Sequence, residues 1–108
     1  MVERIYSFLG LATKAGKTIS GEGNCESAIK RRRVYLVIVA GDASENTKKK
    51  FMNMCRYRKI DIRIFGEKEK LGKYIGKKIR SVVAITDKGF AERTKELIDN
   101  RDLEHGGA

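Results

Sequence analysis

Val34-Tyr35-Leu36-Val37-Ile38-Val39-Ala40-Gly41-Asp42 runs through seven consecutive apolar residues before it meets a glycine and an aspartate. The run is too short for a globular helix and rich in β-branched side chains, which predicts a central strand covered on both faces. Val82-Val83-Ala84-Ile85 repeats the pattern, entered from the basic loop Lys77-Lys78-Ile79-Arg80-Ser81. Between the two, Ile60-Asp61-Ile62-Arg63-Ile64 alternates, predicting a strand with one polar face. A shorter extended segment is expected over residues 17–20, where antiparallel pairing costs little.

Helical spacing fills the intervals. Ile5, Phe8, Leu9 and Ala12 recur on one face of a first helix that stops at Gly16, a residue suited to a left-handed cap. Cys25, Ala28 and Ile29 form the buried stripe of a second helix, with Glu26, Ser27, Lys30 and Arg31 outward. Ser44 is placed to cap a third helix that turns Phe51, Cys55 and either Met54 or Met52 inward. A short helix is expected over residues 67–74. Asp87 can cap the last, whose Phe90, Ala91, Thr94, Leu97 and Ile98 share a face. Each apolar strand face must be covered, and each crossover helix supplies a cover. The expected fold class is therefore α/β, a three-layer α/β/α sandwich around a four-stranded mixed sheet. One domain over residues 1–103 and a frayed tail over 104–108 complete the expected organisation.

The chain has 108 residues, and its 24 Lys and Arg against 14 Asp and Glu give a net charge of +10. So large an excess on one small domain points to a polyanionic partner, nucleic acid first. Surplus lysine on solvated faces that bind nothing is the alternative. Cys25 and Cys55 form no C-x-x-C pair, so neither zinc nor redox chemistry is signalled, and as buried thiols they fit a reducing cytoplasm. No apolar stretch approaches the length of a membrane span.

Catalytic constellations are scarce. The only histidine, His105, stands in the expected tail, so no Ser-His, Cys-His or His-metal grouping can form in the folded part. Gly16-Lys17-Thr18 resembles the end of a phosphate-binding P-loop, but Leu11 occupies the position of its first glycine. Asp42 with Glu45, or Glu67 with Glu69, would be possible acid and base pairs; carboxylates at helix starts, drawn by the macrodipole, account for them more simply.

Ser20-Gly21-Glu22-Gly23-Asn24-Cys25-Glu26-Ser27-Ala28-Ile29-Lys30-Arg31 is the segment richest in binding chemistry. A glycine turn exposes amide donors and lets a phosphate or base edge approach closely. The helix N-terminus behind it attracts anions, and Asn24 and Ser27 add groups able to read a base. A tight strand-to-helix connection followed by solvated basic residues 30–33 is the structural alternative.

Together with residues 36–43, Leu71-Gly72-Lys73-Tyr74-Ile75-Gly76 and residues 82–85, this segment resembles the kink-turn-binding ribosomal proteins over nearly the whole domain. Phe8-Leu9-Gly10-Leu11-Ala12, Ser20-Gly21-Glu22, Asp42-Ala43-Ser44 and Thr86-Asp87-Lys88-Gly89-Phe90-Ala91 are similar to the family's short bacterial YlxQ-type subgroup. The resemblance implies that the second helix enters the widened major groove of a kinked RNA while a loop before the last strand caps a flipped-out nucleotide. Carried over by position, it implies the turn at Gly21, Glu22, Gly23 and Asn24, the helix face at Ser27 and Arg31, and a flank at Ser44 and Lys48. Lys68 with Lys77, Lys78, Ile79 and Arg80 would form the capping loop.

The sequence departs from the family where the latter carries an Asn-Glu pair, here Gly23-Asn24, and a helix lysine, here Ser27. Asn24 can do part of the glutamate's work on guanine edges, and Ser27 little of the lysine's on phosphate. Lys17, Lys30 and Arg31 would then compensate through the RNA backbone, keeping affinity and loosening specificity. The expected protein is a cytoplasmic, monomeric, non-enzymatic binder of kink-turn or similarly bent structured RNA, with no cofactor, metal or membrane. Its expected partners are ribosomal RNA and other ribosome or ribonucleoprotein components. With about five phosphates neutralised, log K should fall with log salt at a slope of roughly −3 to −5. The competing expectation is a protein-interaction factor of the translation or transcription machinery with only non-specific RNA affinity.

Overall fold

The computed structural model describes residues 2–106, with side-chain surroundings through Arg101. Nine elements alternate: α1 (Val2–Lys14), β1 (Thr18–Ser20), α2 (Glu22–Lys30), β2 (Leu36–Val39), α3 (Glu45–Arg58), β3 (Asp61–Ile64), α4 (Lys68–Tyr74), β4 (Val82–Ile85) and α5 (Lys88–Gly106). Of the expected tail over 104–108, residues 104–106 fall in the last turn of α5 and the remaining two lie outside the described residues.

The sheet order is β1-β4-β2-β3. β2 and β4, the two unbroken apolar strands, lie inside it and are buried at every residue, as double coverage requires. They pair antiparallel, β1 pairs antiparallel with β4, and only β2 with β3 is parallel. α1 packs on α4 and α5 in one helical layer, while α2 packs on α3 in the other. The three-layer α/β/α sandwich with a mixed four-stranded sheet is thus the fold of the chain.

Registration aligns the strand ends. Thr18, Ile85, Leu36 and Asp61 form one row across the sheet. At the opposite end the Gly21 amide donates to Val82 O (3.0 Å), where Val82 pairs with Val39 and Val39 with Ile64. Loops therefore gather at two poles. Residues 21–24, 41–44, 65–67 and 77–81 form one; residues 15–17, 31–35, 59–60 and 86–87 form the other.

Local signals place most helix starts. Ser44 Oγ accepts from the Thr47 amide (3.1 Å), and Asp87 Oδ2 accepts from the Phe90 amide (2.8 Å), so both expected caps form. Met54, rather than Met52, is the methionine packed against the core.

Three expected faces differ. On α1 the fully buried aromatic is Tyr6, which stacks on Tyr74 and meets Phe65 at a tilt, both at 5.1 Å, and whose hydroxyl accepts from the Glu67 amide (3.0 Å). Phe8 is half-buried against Phe90. The hydroxyl's partner lies in a distant loop, invisible to helical spacing. Tyr35 is exposed because β2 starts one residue later. β3 is an edge strand whose apolar residues are only half-covered, its clean alternation notwithstanding.

Candidate nucleic-acid interface

Gly21 is the N-cap of α2 at φ 93°, ψ 147°, a region open in practice only to glycine, and no side chain caps the helix. The first amides of α2 therefore face outward with the positive end of its dipole behind them. Beside them the Asn24 side-chain amide donates to Ser20 O (3.2 Å), leaving its carbonyl oxygen unpaired among the described residues. Glu22 turns the other way, accepting from the buried Thr47 hydroxyl (3.2 Å), which also sits against the Ser44 cap (3.0 Å). Two helix N-termini, those of α2 and α3, are thus tied side by side.

The second wall comes from the loop before β4. Arg80 Nε donates to Ser20 Oγ (3.1 Å) and Nη1 to Ile79 O (2.8 Å), joining the loop to the strand that leads into the glycine turn. Two adjoining hollows of about 310 and 330 Å³ mark the seam, one lined by Thr13, Ser20, Asn24, Lys77 and Arg80 and the other by Gly21, Glu22, Asn24, Ile79 and Arg80. Ile79 is 52% exposed, an apolar tip among cations.

That loop is held from below by α4. The Lys77 amide donates to Gly72 O (2.8 Å), and the Arg80 amide to Lys68 O (3.0 Å). A Cβ on Gly72 would stand 1.9 Å from Lys78 O, so only glycine lets the loop lie on the helix. Asp42 Oδ1 in turn accepts from the Lys68 amide (2.9 Å), fixing the start of α4.

Charge is distributed unevenly. Several cations are matched: Lys30 and Lys50 both pair with Glu26 (3.1 and 2.6 Å), Lys48 with Glu45 (3.3 Å), and Arg63 with Asp99 through two bonds (2.7 and 2.9 Å). These contacts hold the Glu26 and Asp99 carboxyls below their ordinary range, chiefly through Lys50 and Arg63 respectively. Among the described residues, no acid pairs with Lys68, Lys77, Lys78 or Arg80. The loop facing the glycine turn is therefore an uncompensated positive surface.

The expected site residues divide. Gly21, Glu22, Gly23, Asn24, Ser44, Lys68, Lys77, Lys78, Ile79 and Arg80 gather at one pole, with Ser27 one turn along α2 and Lys48 one turn along α3. Lys17, Lys30 and Arg31 do not join them. Lys17 precedes β1, while Lys30 and Arg31 end α2, all at the opposite pole. Ser20, Thr47 and Gly72 are positioning residues that sequence reasoning did not single out. Of the three, Gly72 left a local sign, since a glycine inside a helix costs about 1 kcal/mol relative to alanine and calls for a packing reason.

Acidic side chains near this interface have structural partners. Asp42 and Glu45 are spent on an amide and a lysine, and among the described residues no three His, Cys, Asp or Glu side chains are placed to hold a metal ion. Burial pushes the Cys25 thiol up to about 12 and the Cys55 thiol to about 11, so neither is a nucleophile near neutral pH. Among the described residues, no helix is long and apolar enough to cross a membrane.

The chain is similar to known proteins over most of its length. A model of the ribosomal protein L7Ae/L30e/S12e/Gadd45 family matches residues 3–95. The chain is 42% identical over 94 residues to the RNA-binding protein YlxQ of Bacillus subtilis (strain 168), covering 87% of this chain and 94% of that protein. It is 42% identical over 98 residues to the RNA-binding protein YlxQ of Enterococcus faecium, covering 90% and 93% respectively. A solved structure, that of a protein with unknown function from Bacillus halodurans C, superimposes with a TM-score of 0.85 at 37% identity, covering 88% of this chain and 96% of that one.

Proposed function

The chain belongs to the ribosomal protein L7Ae/L30e/S12e/Gadd45 family, and from that premise we propose that it binds structured RNA of the kink-turn type without making or breaking bonds. The observation that carries the reading is the Arg80 to Ser20 junction, which sets an unpaired basic loop against an uncapped helix N-terminus. A sharply bent RNA presents two backbones close together, and two walls of amides and cations suit such a shape. The α2 N-terminus takes phosphate or base edges on its free amides. The Asn24 carbonyl accepts from a guanine edge, and Ile79 covers an unstacked base while Lys77, Lys78 and Arg80 hold the phosphates around it. The RNA-binding names of the two YlxQ relatives support the same reading, as does the ribosomal family for a role in a ribonucleoprotein.

Titration against a labelled kink-turn RNA and a matched straight duplex at two salt concentrations, with the RNA's end-to-end distance read by energy transfer, tests it. Selective, salt-sensitive bending of the kink-turn is expected. Equal binding of both RNAs without bending would overturn kink-turn recognition. Flat salt dependence would favour a protein-contact role, for which the groove of about 590 Å³ between α3 and β3, with exposed Met52 and Ile64, is the supporting feature.

A further inference from the structure

The pole opposite the glycine turn carries its own unmatched charge. Lys17, Arg31, Arg32, Arg33 and Lys59 are all exposed there, and among the described residues none has an acidic partner. Of the acids nearby, Asp61 pairs with Lys95 (2.5 Å) and Asp87 caps α5 through the Phe90 amide (2.8 Å), so five cations stand against two acids without a cationic partner among the described residues, Asp87 and Glu92.

The arginines stand on a fixed turn. Their amides donate to Ser27 O (3.1 Å), Ile29 O (3.0 Å) and Ala28 O (3.1 Å), with Arg32 left-handed at φ 56°. A single cation would answer the half charge at a helix C-terminus, so three in a row exceed what α2 itself requires. Two residues on, Tyr35 is 51% exposed although its amide is anchored on Ile85 O (2.9 Å). Beside its ring lies a hollow of about 240 Å³, with Ile60 and Ala91 among its apolar lining and the cations Lys59, Lys88 and Lys95 outnumbering the acids Asp61 and Glu92.

We propose that this pole is a second RNA-binding surface, which takes an unpaired RNA segment by stacking one base on Tyr35 while the arginine turn, Lys17 and Lys59 hold its phosphates. Aromatic faces interleaved with cations suit single strands, because every base has a face to stack and every linkage a charge to neutralise. An anionic lipid surface would meet the same charge but gains nothing from a hollow sized for a flat group. The two poles lie at opposite ends of the strands, so one molecule can hold two RNA segments at once. The inference does not depend on the glycine-turn pole recognising kink-turns.

The test uses the full chain and a fluorescent single-stranded oligouridylate of about twelve nucleotides, measured by anisotropy alone and with saturating kink-turn RNA. The oligonucleotide should bind in both conditions. Arg31→Glu/Arg33→Glu should weaken it about tenfold or more and flatten its salt slope by about 1.4, while Tyr35→Ala should weaken it about fivefold. Tyr35→Phe should retain binding, and kink-turn affinity and melting temperature should stay close to the parent's for all three proteins. Stoichiometric displacement of the oligonucleotide by kink-turn RNA, or unchanged affinity in the charge-reversed protein, would overturn the proposal. So would stronger dependence on these residues for phosphatidylserine vesicles or polyglutamate than for the oligonucleotide. A protein that fails to bend kink-turns can still pass this test, which separates the two readings.

Discussion

Gly72→Ala adds one methyl group to α4 at the point where the basic loop crosses it. The new Cβ would lie 1.9 Å from Lys78 O, 2.6 Å from Lys78 C and 3.1 Å from Ile79 Cα, all backbone atoms that no rotamer change can move aside. Ordinary contact needs roughly 3.4 Å, so the loop must retreat by about 1.5 Å. That retreat strains the bond from the Lys77 amide to Gly72 O and drags on the Arg80 amide's bond to Lys68 O. Overpacking of this size costs about 1–3 kcal/mol, and alanine's better helix propensity returns about 1. The loop is exposed and free to lift, so global stability should change by less than about 2 kcal/mol. Binding should suffer more, because lifting the loop separates Arg80 from Ser20 and moves Ile79 and the unpaired cations off the glycine turn. Loss of about 1–3 kcal/mol, or about five- to 150-fold in affinity for a kink-turn RNA, is expected. Calorimetric titration with denaturant unfolding run in parallel separates the two effects. Kink-turn affinity within about twofold of the parent's, in a protein of unchanged stability, would refute the account of Gly72 as the loop's seat.

Three further outcomes are expected. Gly21→Ala forces a Cβ into backbone at φ 93°, ψ 147°, costing about 1–3 kcal/mol of unfolding free energy or shifting the turn; denaturant midpoints and RNA titration on one preparation record which occurs. Arg80→Ala should reduce the slope of log K against log salt by about 0.7–0.9, and an unchanged slope would mean that Arg80 meets no phosphate. The buried Cys25 and Cys55 thiols, ordinarily near 9.0, are pushed up to about 12 and about 11, chiefly by desolvation. Raised values favour the neutral native form, so this contribution is complete below about pH 9 and is lost as pH rises towards 11–12, while the unfolded chain ionises. The parent should therefore lose on the order of 3 kcal/mol more than Cys25→Ala/Cys55→Ala between pH 9 and 10.5 in guanidinium titrations. Equal losses would place the thiols in contact with water.

The α/β order could be read from the chain because each element advertises itself locally. Residues 34–40 and 82–85 are apolar without interruption, and such strands must lie inside a sheet covered on both sides, where β2 and β4 are found. Ser44 and Asp87 announce helix starts because a cap is an interaction over three residues. The glycine turn before α2 was legible for the same reason, and the family resemblance supplied the kind of ligand.

Tertiary structure alone decided what meets across the chain. Periodicity shows which face of α1 is apolar, but Tyr6 rather than Phe8 fills the core, where its hydroxyl accepts from a loop amide at Glu67 that helical spacing cannot reveal. Alternation in β3 did not reveal an edge position, since that depends on strand order. Most consequentially, Lys17, Lys30 and Arg31 adjoin the glycine turn in sequence yet stand a strand's or a helix's length away, while Arg80, sixty residues from Ser20, touches it. Residues near in sequence are carried apart by the 3.3 Å rise of a strand or the 1.5 Å rise of a helix, and only the closing of the sheet brings distant ones together.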